Sequence, residues 1–194
     1  MRKIREEELQ ALTLLKKYFY EYRELVLSDK PDLVDMENSI GVEITTAVNQ
    51  NVAEREAFYR NKMNDKNIRG FSKVDIQKFE QYGLSLVHEK GNGRIFGLSR
   101  MFGTEEKELI FKAIEKKYKK QYQPLKILDL YIFFRQFFIE GISKDDLQGL
   151  FQNIHQYENI YGKIFDKIMI DFYSELLILD VNNDSVRVIT NYNE

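Results

Sequence analysis

From Leu125 to Phe134 the chain reads Leu-Lys-Ile-Leu-Asp-Leu-Tyr-Ile-Phe-Phe, a nearly continuous apolar run. A run this short, and this rich in β-branched and aromatic side chains, predicts a strand buried on both faces. Such a strand needs cover on each side, so the rest of the chain must supply helices around a sheet. Leu12, Leu15, Phe19, Tyr22 and Val26 recur at spacings of three and four, widened by Leu14, Tyr18 and Leu25. That stripe predicts a helix over 5–27, ended where Lys30 precedes Pro31.

The period then changes. Residues 32–36 and 40–48 alternate as strands do, with Glu37-Asn38-Ser39 between them as a turn, which predicts a hairpin. In its second strand Val42, Ile44 and Thr46 share one face, and Glu43, Thr45 and Ala47 the other. Helical character returns over 52–66. Between 67 and 103 six glycines cut the chain into short pieces, and Leu84–Val87 and Arg94–Leu98 flank a turn at Gly91-Asn92-Gly93. A helix is predicted from Thr104 to about Tyr122, stopping before Pro124. Ser143-Lys144-Asp145-Asp146 opens another, to about Tyr161, with a capping pattern. Strand segments follow at 165–170, 176–179 and 186–190. The fold class expected is α/β: a central mixed β-sheet flanked by helices, in one domain over 1–194 with a variable insertion at about 67–103.

Composition narrows the function. With 194 residues, 43% hydrophobic and 31% charged, the chain has enough apolar surface for a core and a well-solvated exterior. It has no cysteine, which excludes disulfides, thiolate metal sites and cysteine catalysis. The N-terminus is charged, and no stretch reaches the roughly 18 apolar residues of a membrane span. The expectation is a cytoplasmic protein with no membrane partner. A net charge of −2 means that any nucleic-acid contact must use a local basic patch.

The residues that carry chemistry lie around the first hairpin. Pro31-Asp32 stands at the start of one strand and Glu43 in the middle of the next. Taken alone, Pro31-Asp32 is a helix stop and strand start, and Glu43 fits the outward position of an alternating strand. Together, in this order of elements, they resemble the PD-(D/E)XK nuclease superfamily. The proline–aspartate pair of that family falls on Pro31 and Asp32, its second acid on Glu43, and its lysine position on Thr45. The resemblance covers residues 5–66 well and 112–134 loosely. It implies a restriction-endonuclease-like core of helix, β-hairpin, helix and strand. It implies Mg²⁺ as cofactor, held by Asp32 and Glu43, and hydrolysis of DNA phosphodiester bonds. Two carboxylates suit that ion, which keeps its other positions for water and phosphate oxygens.

Thr45 departs from the family pattern, because a hydroxyl carries no positive charge. In this superfamily the lysine can migrate to a neighbouring helix, which makes Lys62, Lys116 and Lys117 candidates for its role. The same resemblance suggests Glu21 as an assisting metal ligand, against its reading as an edge residue of the first helix. Asp35 is either a third ligand or a turn acid. Lys112, Lys116, Lys117, Lys119 and Lys120 form a basic run opposed in sequence by Glu115. It is either a phosphate-tracking patch for DNA or a solvated helix face. The function expected is a metal-dependent nuclease. One alternative is a catalytically inactive protein of the same fold that binds nucleic acid or protein; another is an α/β interaction or regulatory protein in which the motif is coincidence, and a homodimer is compatible with each.

Overall fold

The structure is a computed structural model that describes residues 4–47, 72–74, 77, 85–88, 95–99, 104–134, 143–172 and 175–190. The expected helix over 52–66, and Lys62 on it, lie outside the described residues.

Helix α1 (Glu6–Tyr18) is shorter than the apolar stripe predicts. Phe19 takes an extended conformation at its end, with φ −130° and ψ 121°. A single 3₁₀ turn, Tyr20–Tyr22, follows. Strand β1 (Val26–Leu27) then pairs antiparallel with β2 (Leu33–Asp35), Val26 against Val34 and Leu27 against Leu33. Sheet pairing overrides the helical spacing of the last third of the stripe, as tertiary context commonly does.

The expected hairpin forms, β2 pairing antiparallel with β3 (Ile40–Thr46). Asp35 holds its turn, accepting from the Asn38 backbone N–H at 3.0 Å and from Asn38 Nδ2 at 2.7 Å. That is a turn acid's role. Strands β4 (Ser85–His88) and β5 (Ile95–Ser99) pair antiparallel in a separate sheet, at the hairpin expected around Gly91-Asn92-Gly93. Helix α2 (Thr104–Tyr118) ends one turn earlier than predicted. Strand β6 (Ile127–Phe133) is the apolar run, and it is central. It lies parallel to β3 on one side and to β7 (Lys167–Asp171) on the other. Helix α3 (Lys144–Tyr161) starts at Ser143, whose hydroxyl accepts from the Asp146 N–H at 3.1 Å. Strands β8 (Glu175–Asp180) and β9 (Ser185–Thr190) complete the sheet antiparallel. The order is β1-β2-β3-β6-β7-β8-β9. No helix among the described residues is long and apolar enough to cross a membrane.

Each face of this mixed sheet has its own core. Ala11 and Leu15 of α1 pack with Val42, Ile44, Tyr131 and Ile178 on one face. Ile110 and Ile114 of α2 and Leu150 and Ile154 of α3 pack with Leu130, Ile132, Ile168 and Leu179 on the other. The double cover explains why β6 is apolar on both sides, with one exception. Asp129, 0% exposed, accepts from Tyr22 Oη at 2.6 Å and from the Lys167 backbone N–H at 2.8 Å.

One mismatch in strand length shapes the molecule. β3 runs to Thr46, but its pairing with β2 stops at Val42. Residues 43–46 keep β6 on one side and have no β2 residue opposite them on the other. Two residues before this stretch, still within the β2 ladder, Pro31 and Leu125 close over Gly41, where a Cβ would stand 2.5 Å from a carbon of each.

Two outcomes test this packing. Gly41→Ala overpacks the contact and is expected to cost about 1–3 kcal/mol in urea unfolding, although Gly to Ala within a strand is ordinarily favourable. A more stable variant would contradict the close approach of Pro31 and Leu125. Burial pushes the Asp129 carboxyl up from 3.8 to about 6, against the donors that favour its charge. The folded state therefore holds this proton more tightly than the unfolded chain. The stability linked to it is complete below about pH 4 and lost as pH rises through about 6. Relative to Asp129→Asn, the native protein is expected to lose stability across that window. An unchanging difference would contradict the shift.

Candidate functional site

The edge of β3 beyond β2 presents both backbone groups of Ile44 to the interior. Left unpaired there, each would cost about 1–3 kcal/mol. Asp32 Oδ2 accepts the Ile44 N–H at 2.8 Å, and Lys117 Nζ donates to the Ile44 carbonyl at 2.9 Å. Asp32 comes from just before β2, Lys117 from the last turn of α2. Carrying the β2–β3 register back by one residue sets Asp32 opposite Glu43, so the two acids share a face. Glu43 is 3% exposed, which excludes the outward, solvent-facing position that its alternating strand suggests.

Glu43 Oε1 receives two ammonium groups, Lys117 Nζ at 2.5 Å and Lys120 Nζ at 3.0 Å. Lys117 is 6% exposed, whereas Lys120 lies beyond the end of α2 with its side chain 44% exposed. On the other side Arg5, at the N-cap of α1, reaches Glu8 with Nε at 2.5 Å and Asp32 Oδ1 with Nη2 at 3.2 Å. These residues line one cavity of about 640 Å³, together with Asp29, Lys30, Gln121 and Tyr122. Tyr122 donates to the Lys117 carbonyl at 3.3 Å and so ties down the end of α2.

Burial and the neighbouring Glu43 charge hold the Asp32 carboxyl above its ordinary value, against the Ile44 N–H and two cations. Burial likewise pulls the Lys117 ammonium below the usual lysine range, outweighing its pairing with Glu43. For the more exposed Lys120, the bond to Glu43 wins over burial and the shift is upward. The acids Glu8, Asp32 and Glu43 thus face the cations Arg5, Lys117 and Lys120 in a nearly balanced cluster.

The cavity brings together Asp32, Glu43, Lys117 and Lys120 from the residues that the sequence points to. Thr45 is buried on Glu43's strand but does not line the cavity. Glu21 lies elsewhere, on the 3₁₀ turn, paired with Lys167 Nζ at 3.1 Å. The helix that was to carry Glu21 ends at Tyr18, so its side chain is redirected. The basic run divides. Lys112 pairs with Glu108 at 3.3 Å and Lys119 with Glu115 at 2.7 Å, both one turn away on α2, while Lys116 is exposed. The run does not form one continuous helix face, because α2 stops at Tyr118 and Lys120 folds back to Glu43.

Arg5 and Glu8 escaped the sequence reading. The signal available was spacing: Glu8 is fully buried and precedes buried Ala11 and Leu15 by three and seven residues, on the core face of α1. Against known proteins, the chain matches no family model, no curated protein and no solved structure.

Glu43 Oε1 and the Ile44 carbonyl converge on one positive charge, the Lys117 ammonium. Among the described residues no three His, Asp or Glu side chains are grouped to hold a metal. Asp32, Glu43 and the Ile44 carbonyl are the oxygen donors that could hold a hard cation.

The buried pair has a measurable weight. Lys117→Met leaves Lys120 as the ammonium on Glu43 and takes the donor from the Ile44 carbonyl, and is expected to cost about 2–3 kcal/mol in urea unfolding. Adding Glu43→Gln should return most of that loss. A single variant as stable as the native chain would contradict the pair's burial.

Proposed function

We propose that this chain is a divalent-metal-dependent nuclease of the PD-(D/E)XK kind, hydrolysing DNA phosphodiester bonds. The observation that carries the reading is Lys117 Nζ standing 2.5 Å from Glu43, in the cavity that Asp32 also lines. The resemblance asks for two acids on neighbouring strands and a lysine beside the second. Position 45 does not supply that lysine, and Lys117 of α2 stands where one could act. Also in favour of the reading are α1, three antiparallel strands and, after the separate β4–β5 pair, α2 followed by β6 parallel to β3.

In this reading Asp32 and Glu43 would hold the metal ion. A bound Mg²⁺ would activate water and neutralise charge gathering on the phosphate. Lys117 orients the attacking water beside Glu43 and stabilises the same charge. Its lowered proton affinity suits a group that shares a proton with that water. The β3 edge and α2 keep these groups at fixed separation, which the near-attack geometry requires.

A second reading, a catalytically inactive protein of the same fold that binds nucleic acid or protein, is favoured by one observation. Asp32 and Lys117 both satisfy the Ile44 peptide, which gives each a structural task without catalysis.

The test is cleavage of supercoiled and linear DNA with Mg²⁺ or Mn²⁺ and a chelator control. The nuclease reading expects metal-dependent cutting that falls about 100-fold or more in Asp32→Ala, Glu43→Ala and Lys117→Ala, with Thr45→Ala nearly unaffected. No cutting by the native protein, with salt-sensitive DNA binding retained, would move the conclusion to the second reading.

A further inference from the structure

The cations around the site differ in how firmly they are held. Lys117 is buried and donates to two oxygens, one of them a backbone carbonyl. Lys120 is held at Glu43 Oε1, the oxygen already taken by Lys117, and its side chain is 44% exposed. Arg5 is also 44% exposed and touches Asp32 at 3.2 Å, but its Nε is anchored on Glu8 at 2.5 Å. Arg5 and Lys120 therefore occupy one oxygen each of Asp32 and Glu43 while remaining next to solvent.

A divalent ion needs those oxygens. It cannot share Glu43 Oε1 with two ammonium groups, because like charges at contact distance repel strongly where water is scarce. The more exposed and less bonded cations are the ones to leave. Arg5 would keep Glu8 as its anchor, and Lys120 its place after α2, so both stay at the rim of a cavity large enough for a nucleotide. Lys30 lines the same cavity. A guanidinium and an ammonium beside a metal ion form a receptor for phosphate oxygens.

We infer that Arg5 and Lys120 are phosphate-binding residues parked on Asp32 and Glu43, released to the backbone phosphates of nucleic acid when a divalent cation takes the carboxylates. The inference rests on the metal-dependent reading of the site. It makes the same two side chains competitors of the metal and partners of the substrate. Substitution therefore acts in opposite directions on the two ligands, which a purely structural role would not produce.

The test uses the full chain with Ca²⁺ alone as metal probe and a short labelled DNA duplex as phosphate probe. Ca²⁺ binding is read by calorimetry, and duplex binding in saturating Ca²⁺ by fluorescence anisotropy. Arg5→Gln and Lys120→Gln are each expected to bind Ca²⁺ about 2- to 5-fold more tightly, the scale of one part-exposed ion pair, and to bind the duplex several-fold more weakly. Asp32→Asn, which should abolish Ca²⁺ binding, reports whether the ion is at this site. If the native protein binds Ca²⁺ in an Asp32-dependent way but neither variant binds it more tightly, the inference fails and the metal reading stands. Tighter Ca²⁺ with unchanged duplex affinity, or weakening of both ligands, also overturns it. Absence of Asp32-dependent Ca²⁺ binding in the native protein and both variants overturns the inference and the metal reading together.

Discussion

The site depends on a strand that outruns its neighbour. β3 continues to Thr46 after β2 has ended its pairing at Val42, and the Ile44 peptide is left facing inward on the bare edge. Burying that peptide demands a donor and an acceptor from outside the ladder. The acceptor is Asp32 and the donor is Lys117. Each brings a charge, and a buried charge demands compensation in turn. Glu43, Lys120, Arg5 and Glu8 follow from that demand. A backbone requirement thus assembles six ionisable side chains from α1, the approach to β2, β3 and the end of α2.

The compensation also gives the cluster its range of behaviour. Were the charges strongly unbalanced, the buried groups would take up or release protons toward neutrality. Near balance lets the acids stay in place while the cations on them differ in exposure. Lys117 is locked in by burial, and Arg5 and Lys120 border solvent.

Much of the frame was legible in sequence because it is written in short-range periodicity. The apolar run at 125–134 marked the central strand, the alternation at 40–46 marked β3, and Ser143 marked the start of α3. Asp32 and Glu43 stood out because a hairpin converts their spacing of eleven residues into opposition across two strands. What was hidden depends on long-range contact. The switch from helix to strand before Val26 is decided by β2, and the inward turn of Lys120 by the early end of α2. Glu8 looked like one more acid in a charged N-terminal turn, since nothing local says that Asp32 and Arg5 will meet beside it. The lysine opposite Glu43 was one of three sequence candidates, and only packing of α2 on the sheet separates Lys117, buried, from Lys116, exposed one residue earlier.

The proposed site requires Asp32 and Glu43 to present their oxygens to one hard cation. Anomalous diffraction from a crystal soaked in Mn²⁺ decides whether they do. A single peak is expected at coordination distance, roughly 2 Å, from both carboxylates, with the Lys120 ammonium moved off Glu43. Ordered density for the cavity with no peak in it, and both lysines still on Glu43 at saturating Mn²⁺, would rule the metal site out.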